Sequence, residues 1–361
     1  MRAAVLRGPE IVVDTVPDPE PGPGQVLVKT LSCGICGTDL HMLQGAQKLA
    51  ATGAGSDAAV AMAGTDEFVM GHEFAAEIVD HGPGSEERFS AGTRVCSMPF
   101  AHTAAGVAAI GFSPDHPGGF GEFMVLSEDL LLEIPNGLST THAALTEPMA
   151  VGAHAVAKSG IRPGDIPVVI GCGPVGLAVI ASLRIFGEGP IVAADFSPAR
   201  RALAAAMGAD VVVDPAETSP YKKWEELAPT EPPHFANSMA AITSGAGGRP
   251  AVIFECVGLP GVIQQAIDGA PRGGRLVVVG VCMEPDRVHP FMAINKELSI
   301  QFALAYGPGE FAATLGHIAE GRIDVGPLVT GSAGVTGVAD AFAALANPEA
   351  HAKILIEPWR D

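Results

Sequence analysis

The stretch Val168-Val169-Ile170-Gly171-Cys172-Gly173-Pro174-Val175-Gly176 decides the fold. Its first three residues, all β-branched, read as a strand, and the run from Val175 to Phe186 reads as a helix. In a chain with 45 glycines a GxGxxG pattern alone is weak; its place between strand and helix gives it meaning. A bound pyrophosphate needs this order. Gly171 permits the tight turn, Gly173 lets the backbone approach the phosphates, and Gly176 lets helix and strand pack closely. Pro174 and Val175 open the helix, whose free N–H groups and positive dipole end meet the anion. Asp195 follows at the distance of the acid that accepts hydrogen bonds from the adenosine ribose hydroxyls. A carboxylate there repels a 2′-phosphate, so NAD is expected over NADP. Arg200 and Arg201 lie where either could contact the adenosine ribose or a phosphate. The competing reading, a plain glycine turn with Asp195 as a helix cap, leaves the joint context unexplained.

Beyond this motif, strands at Ile191–Ala194, Val211–Val213, Val252–Glu255 and Leu276–Val279 alternate with helices opening near Pro198 and Pro260. Such alternation predicts an α/β fold with a doubly wound parallel sheet. Val257, Gly258, Val279 and Gly280 fall at strand ends, where the nicotinamide half of a dinucleotide should pass. The first third reads instead as short β segments: Ile11–Val13, Gln25–Lys29, Glu73–Asp80, Arg94–Ser97, Gly121–Leu126 and Leu130–Ile134. The last seventy residues mix a strand, two Ala-rich helices near Phe311–Glu320 and Val338–Ala346, and a final strand, Lys353–Ile356. Residues 44–66 and 216–250 read as inserted loops.

At 361 residues, two packed units are the natural expectation. A net charge of −19 argues against nucleic acid and anionic membrane surfaces as partners. Ile166 to Leu183 is uncharged and long enough to suggest a membrane span, but Gly171, Gly173, Pro174 and Gly176 break it into strand and helix. The N-terminus reaches Gly8-Pro9-Glu10 before any apolar core of signal-peptide length forms. Six cysteines in a chain this long read as reduced thiols of a cytoplasmic protein.

Cys33-Gly34-Ile35-Cys36 invites a structural zinc reading, which needs a second CxxC pair that the chain lacks. Elsewhere stand Gly71-His72-Glu73 and Thr146-Glu147-Pro148. Thiolate, imidazole and carboxylate form a mixed set suited to a catalytic zinc with one open position.

Gly34-Ile35-Cys36-Gly37-Thr38-Asp39-Leu40-His41, Gly71-His72-Glu73, Glu147-Pro148-Met149-Ala150-Val151-Gly152-Ala153-His154 and Gly171–Gly176 stand in the order seen in zinc-containing medium-chain dehydrogenases. The chain resembles most the sorbitol, threonine and butanediol dehydrogenase branch, which carries Glu-Pro where other alcohol dehydrogenases carry a cysteine. The resemblance covers essentially the whole chain. It implies a GroES-like, mainly β catalytic domain over 1–155, a Rossmann domain over 156–294 and a return to the catalytic domain over 295–361. It implies that Cys36 and His72 ligate zinc, that Glu73 or Glu147 completes the set, and that Asp39 orients His72. Thr38 and His41 would relay a proton outward. Cys33 has no ligand role and reads as a buried small hydrophobe.

Many relatives hold a second, structural zinc with four cysteines in the lobe that here spans Ser97–Phe120, which has none. One zinc per subunit is therefore expected. The resemblance implies hydride transfer between an alcohol, diol or polyol and NAD, in a homodimer or homotetramer. Two alternatives are a zinc-free quinone or enone reductase of the same fold and a non-catalytic nucleotide-binding relative. Cys36, His72 and Glu147 together argue against the first, and intact Thr38 and His41 against the second.

Overall fold

A computed structural model of the chain describes residues 1–52, 67–135, 137–228 and 249–360. It divides into two units: Met1–Pro148 with Gly307–Asp361, and Met149–Tyr306.

The first unit is mainly β. Strands β1 (Arg2–Arg7), β2 (Glu10–Thr15) and β3 (Gln25–Gly34) lead into helix α1 (Gly37–Thr52). Then come β4 (Phe68–Val69), β5 (Glu73–His81), β6 (Arg94–Ser97), the hairpin β7 (Phe100–Thr103) and β8 (Gly106–Ala109), β9 (Phe123–Ser127) and β10 (Leu131–Glu133). Alternate residues of β3 are buried, as expected of a strand with one face on a core. That core gathers Met42, Met70, Phe74, Phe120 and Met124. Helices α2 (Thr140–Ala144) and α3 (Thr146–Lys158) follow.

The second unit holds six parallel strands: β11 (Ile166–Ile170), β12 (Val192–Ala194), β13 (Val211–Val213), β14 (Ala251–Glu255), β15 (Arg275–Val278) and β16 (Ser299–Phe302). Their order is β13-β12-β11-β14-β15-β16, which reverses direction beside β11. The helices are α4 (Pro174–Ile185), α5 (Pro198–Ala206), α6 (Pro220–Leu227), α7 (Val262–Gly269) and α8 (Pro290–Asn295). Most of β11 and all of β14 are buried, the near-continuous apolar run of a sheet covered on both faces.

The chain then returns to the first unit with α9 (Pro308–Ala319), β17 (Val329–Ala333), α10 (Val338–Leu345) and β18 (Lys353–Ile356). Strand β18 pairs antiparallel with β3, Leu355 opposite Gly34 and Ile356 opposite Cys33.

Four expectations change. Residues 44–52 are not loop but the end of α1, since alanine-rich sequence favours helix. The remainder of that segment, through 66, lies outside the described residues. Within 216–250, α6 forms behind a Ser219 cap with Pro220 in its first turn, and 229–248 lie outside the described residues. The helix expected near Pro260 starts at Val262, after Gly261 takes a left-handed conformation at its cap. Residues 299–302 belong to the parallel sheet of the second unit rather than to the return segment, because β16 pairs with β15.

Candidate active site

Cys36 sits where β3 gives way to α1 and acts as the helix cap. Its N–H donates to Asp39 Oδ2 at 2.9 Å, the reach-back bond of a capping motif. This locks Asp39, wholly buried, beneath the turn. Thr38 Oγ1 lies 3.7 Å from Cys36 Sγ, with the thiol as donor.

His72 enters from the link between β4 and β5. Its Nδ1 stands 3.4 Å from Asp39 Oδ1, within ion-pair range but not aligned as a hydrogen bond. Burial alone would lower its pKa, but Asp39 and Cys36 carry it well above the ordinary imidazole value. Two segments distant in sequence thus bring Cys36, Asp39 and His72 together. The Phe112 ring lies over His72, centroids 5.2 Å apart and planes inclined by 38°.

Glu73, one of the two carboxylates expected to complete the ligand set, is held by a cation. Both its oxygens accept hydrogen bonds of 2.7 Å from Lys353 Nζ, which also donates to the Ile35 carbonyl at 2.9 Å. Both side chains are buried. A side chain at Gly34 would collide with the Glu73 carboxylate, so glycine there makes its room. Glu147 lies in the first turn of α3, 9% exposed. Its charge helps hold the Lys353 pKa up, after burial, which lowers it, and Glu73, which raises it more. Lys353 and Phe112 did not stand out in the sequence; a lone lysine in the apolar run Lys353-Ile354-Leu355-Ile356 was the available signal.

His41 is half-buried, its Nδ1 has no hydrogen-bond partner among the described residues, and burial lowers its pKa. Cys33 is fully buried, as expected of a small hydrophobe.

A metal would find two donors together. Cys36 and His72 offer sulfur and nitrogen suited to zinc, and Asp39 Oδ1 and His72 Nδ1 are buried without a hydrogen-bond partner among the described residues. Among the described residues no group of three His, Cys, Asp or Glu side chains closes on one point. The donor chemistry of this pair fits zinc, and a carboxylate would have to move toward it to make a third ligand.

In the second unit, Gly171 turns at φ +88° and Gly173 is the N-cap of α4, with no side-chain cap hydrogen bond. The position a side chain would take at Gly173 is open, while at Gly176 it would run into the Gly171 carbonyl. The loop is therefore a cradle of backbone donors above a close-packed turn, which fits a pyrophosphate. Asp195 follows β12 and accepts from Cys172 N and Ser197 N, each at 2.8 Å. Arg200 Nη1 stands 4.0 Å from Asp195 Oδ2, and its buried Nε has no hydrogen-bond partner among the described residues. Arg201 instead donates to the Asp195 and Phe196 carbonyls at 2.8 Å and pairs with Asp214.

Val257 and Gly258 give their N–H groups to buried Glu255 Oε1 at 2.7 and 2.9 Å, and Val279 and Gly280 donate to its carbonyl at 2.9 Å. Side chains at Gly171 and Gly280 would strike the Val257–Gly258 turn. The turns expected to carry the nicotinamide half are thus gathered at the carboxyl ends of β14 and β15.

Comparison with known proteins completes this picture. The zinc-binding dehydrogenase family model matches residues 174–320, and the alcohol dehydrogenase GroES-like domain model matches residues 22–136. The (R,R)-butanediol dehydrogenase of Bacillus subtilis (strain 168) is 32% identical, with 97% of each chain covered. A sorbitol dehydrogenase of the same organism is 30% identical over 100% of this chain and 98% of its own. The crystal structure of 2R,3R-butanediol dehydrogenase from Bacillus subtilis superposes with a TM-score of 0.78 over 99% of both chains at 30% identity. A zinc-binding dehydrogenase from Sinorhizobium meliloti 1021 bound to NADP gives 0.79 over 99% of both, at 26% identity. With a mainly β unit carrying Cys36 and His72, and a parallel six-stranded unit carrying the glycine loop, the chain belongs to the zinc-type medium-chain dehydrogenases of the alcohol dehydrogenase superfamily.

Proposed function

We propose that the chain is a zinc-dependent dehydrogenase that oxidises a secondary alcohol, vicinal diol or polyol to the ketone with NAD, and runs the reverse reduction. The observation that carries this reading is the juxtaposition of Cys36 with His72, backed by buried Asp39. Cys36 and His72 would hold the zinc, with Glu147 as third protein ligand. Glu73, already neutralised by Lys353, would stand behind the ion as an alternative ligand. Zinc, when bound, supplies a Lewis acid that makes a substrate hydroxyl acidic near neutral pH. NAD, held by Gly171, Gly173, Gly176 and Asp195, supplies the hydride acceptor.

The chain's own residues do the rest. Asp39 holds His72 by its Nδ1 edge and so leaves Nε2 as the ligating nitrogen. Thr38 Oγ1, beside Cys36 Sγ, would relay the alcohol's proton, accepting it while giving its own hydroxyl proton onward toward His41. His41, whose pKa burial lowers, would pass the proton outward, its Nδ1 having no hydrogen-bond partner among the described residues. The balance is alcohol plus NAD to ketone, NADH and one proton. Asp195, by repelling a 2′-phosphate, favours NAD over NADP.

The homo-oligomer is supported by β16, which lies at the edge of its sheet with all four residues exposed. Phe302 in β16, Leu304 just after it, and Phe291 and Ile294 in α8 are each at least 66% exposed. An unpaired, apolar edge strand invites a second copy. Light scattering of Phe302→Asp should report a monomer; an unchanged assembly rejects this edge. No helix among the described residues is long and apolar enough to cross a membrane, and free cysteines fit a reducing cytoplasm.

The test is NADH production across alcohols, diols and polyols, with and without a chelator. Activity should vanish on stripping the metal and return with zinc. Turnover in fully zinc-free protein would sink the mechanism.

A further inference from the structure

The first unit holds a cavity of about 860 Å³ that none of Cys36, His72, Glu73 and Glu147 lines. Two loops and a pair of strands form its wall. The loop between β2 and β3 brings Pro17, Pro19 and Pro23, and the lobe after β8 brings Pro114 and Pro117. Val5 of β1 and Phe68 and Val69 of β4, all buried, add an apolar surface. The wall is fixed by hydrogen bonds. Gln25 accepts from Gly22 N at 2.9 Å and donates its Nε2 to the His102 carbonyl at 3.0 Å, which ties the proline loop to β7. The lobe lies on β4 through backbone alone: Gly118 N donates to Val69 O at 2.8 Å, and side chains at Gly111 and Gly118 would strike the Gly71 carbonyl. A space of this volume within such a wall is the size of a small-molecule site.

The lining sets the sign of the occupant. Proline has no N–H, so five prolines on the wall offer an anion no backbone donor. The cations and donors that line the cavity are already committed. Arg7 gives Nε to Glu67 at 2.7 Å and Nη2 to Asp14 at 2.9 Å. His102 pairs with Asp129 at 3.0 Å, and the chain's amino group with Asp18 at 2.5 Å. Two carboxylates are not committed. Glu20 on the proline loop and Asp115 on the lobe are exposed and make no side-chain hydrogen bond or ion pair among the described residues. The His116 ring beside them can accept as readily as donate. We infer that this cavity binds an organic cation, an ammonium group on an apolar body, with the body against Val5, Phe68 and Val69 and the charge beside Glu20 and Asp115. Burial of the apolar body supplies affinity, and the carboxylates select the charge. Phe68 adds to that selection, because an aromatic face attracts a cation. The site lies wholly in the first unit and stands apart from the dehydrogenase reading.

The experiment is calorimetric titration of the zinc-loaded full chain with benzyltrimethylammonium, which can neither ligate zinc nor be oxidised as an alcohol. The cation should bind, and benzylsulfonate, an anion of similar shape, should fail to displace it at about tenfold excess. Glu20→Gln combined with Asp115→Asn should weaken the cation about fivefold. Ala104→Trp, at an exposed position on the cavity wall, should weaken it at least about tenfold by filling the space. All three positions are exposed, so NADH production by both variants should stay within about twofold of wild type. Should Ala104→Trp fail to fold, the charge variant decides. Absence of binding, displacement by benzylsulfonate, or a cation affinity that either folded variant leaves unmoved overturns the inference. None of these outcomes touches the dehydrogenase reading, which the alcohol screen tests separately.

Discussion

Lys353 and Glu73, separated by 280 residues, meet in the interior of the first unit, one ammonium held by both oxygens of one carboxylate at 2.7 Å. Neither side chain reaches solvent to any useful extent. The pair lies one residue from His72, so its charge balance shapes the ground on which a metal would sit. A buried carboxylate with its own cation is neutral in sum.

Removing the cation should expose how much the pair matters. Lys353→Met leaves Glu73 charged and alone, and should cost about 3–5 kcal/mol in denaturant unfolding. The double variant Glu73→Leu with Lys353→Met should recover most of that, because a matched apolar pair carries no desolvation cost. Losses that simply add would show that the two side chains are not coupled.

The ligand assignment makes a metal prediction. Cys36→Ser and His72→Ala should each lower zinc content, by elemental analysis, from one per chain to about a tenth or less. Glu147→Ala should lose more zinc than Glu73→Ala. Asp39→Asn should weaken zinc binding by roughly 10–100-fold through His72 orientation. The reverse ranking of the two glutamates would reassign the third ligand.

Coenzyme choice should turn on Asp195. Its carboxylate is held by Cys172 N and Ser197 N, so it is already aimed when the nucleotide arrives. Asp195→Ser should raise the KM for NAD roughly 10–100-fold, the loss of hydrogen bonds to a charged acceptor. With Arg200 then released from its acidic neighbour, the KM for NADP should fall. An unchanged NAD-to-NADP preference would remove Asp195 from that role.

Acid stability should report on Glu128. It is nearly buried and accepts from Ser85 Oγ and Glu86 N at 2.7 Å and from Arg88 N at 2.8 Å. Burial pushes its pKa up, but these bonds together hold it below the ordinary value. A carboxyl with a depressed native pKa stabilises the fold above its unfolded value, and loses that contribution as pH falls through the native one. Glu128→Gln should therefore cost about 1–2 kcal/mol at pH 7 and flatten the stability slope in the acid range. Equal slopes in both proteins would contradict this.

The sequence by itself determined five of the six strands of the parallel unit, leaving β16 in the return segment and α6 in an expected loop. Its strands, its glycine loop and Asp195 are written in contiguous runs, because β period, helix period and a phosphate turn are all local properties of the backbone. Cys36 and His72 were singled out by the family resemblance of their glycine-flanked motifs, and the fold brings the two together beside Asp39. What only tertiary structure decided concerns partners far apart in the chain. That Glu73 is claimed by Lys353 depends on β18 pairing beside β3, and no periodicity near residue 73 announces it. That Phe112 covers His72 depends on two glycines lying flat against another segment, and absence of a side chain does not name its neighbour. The helical end of α1 was hidden by a composition equally at home in a loop, until packing of Met42 and Ala46 into the core chose for it.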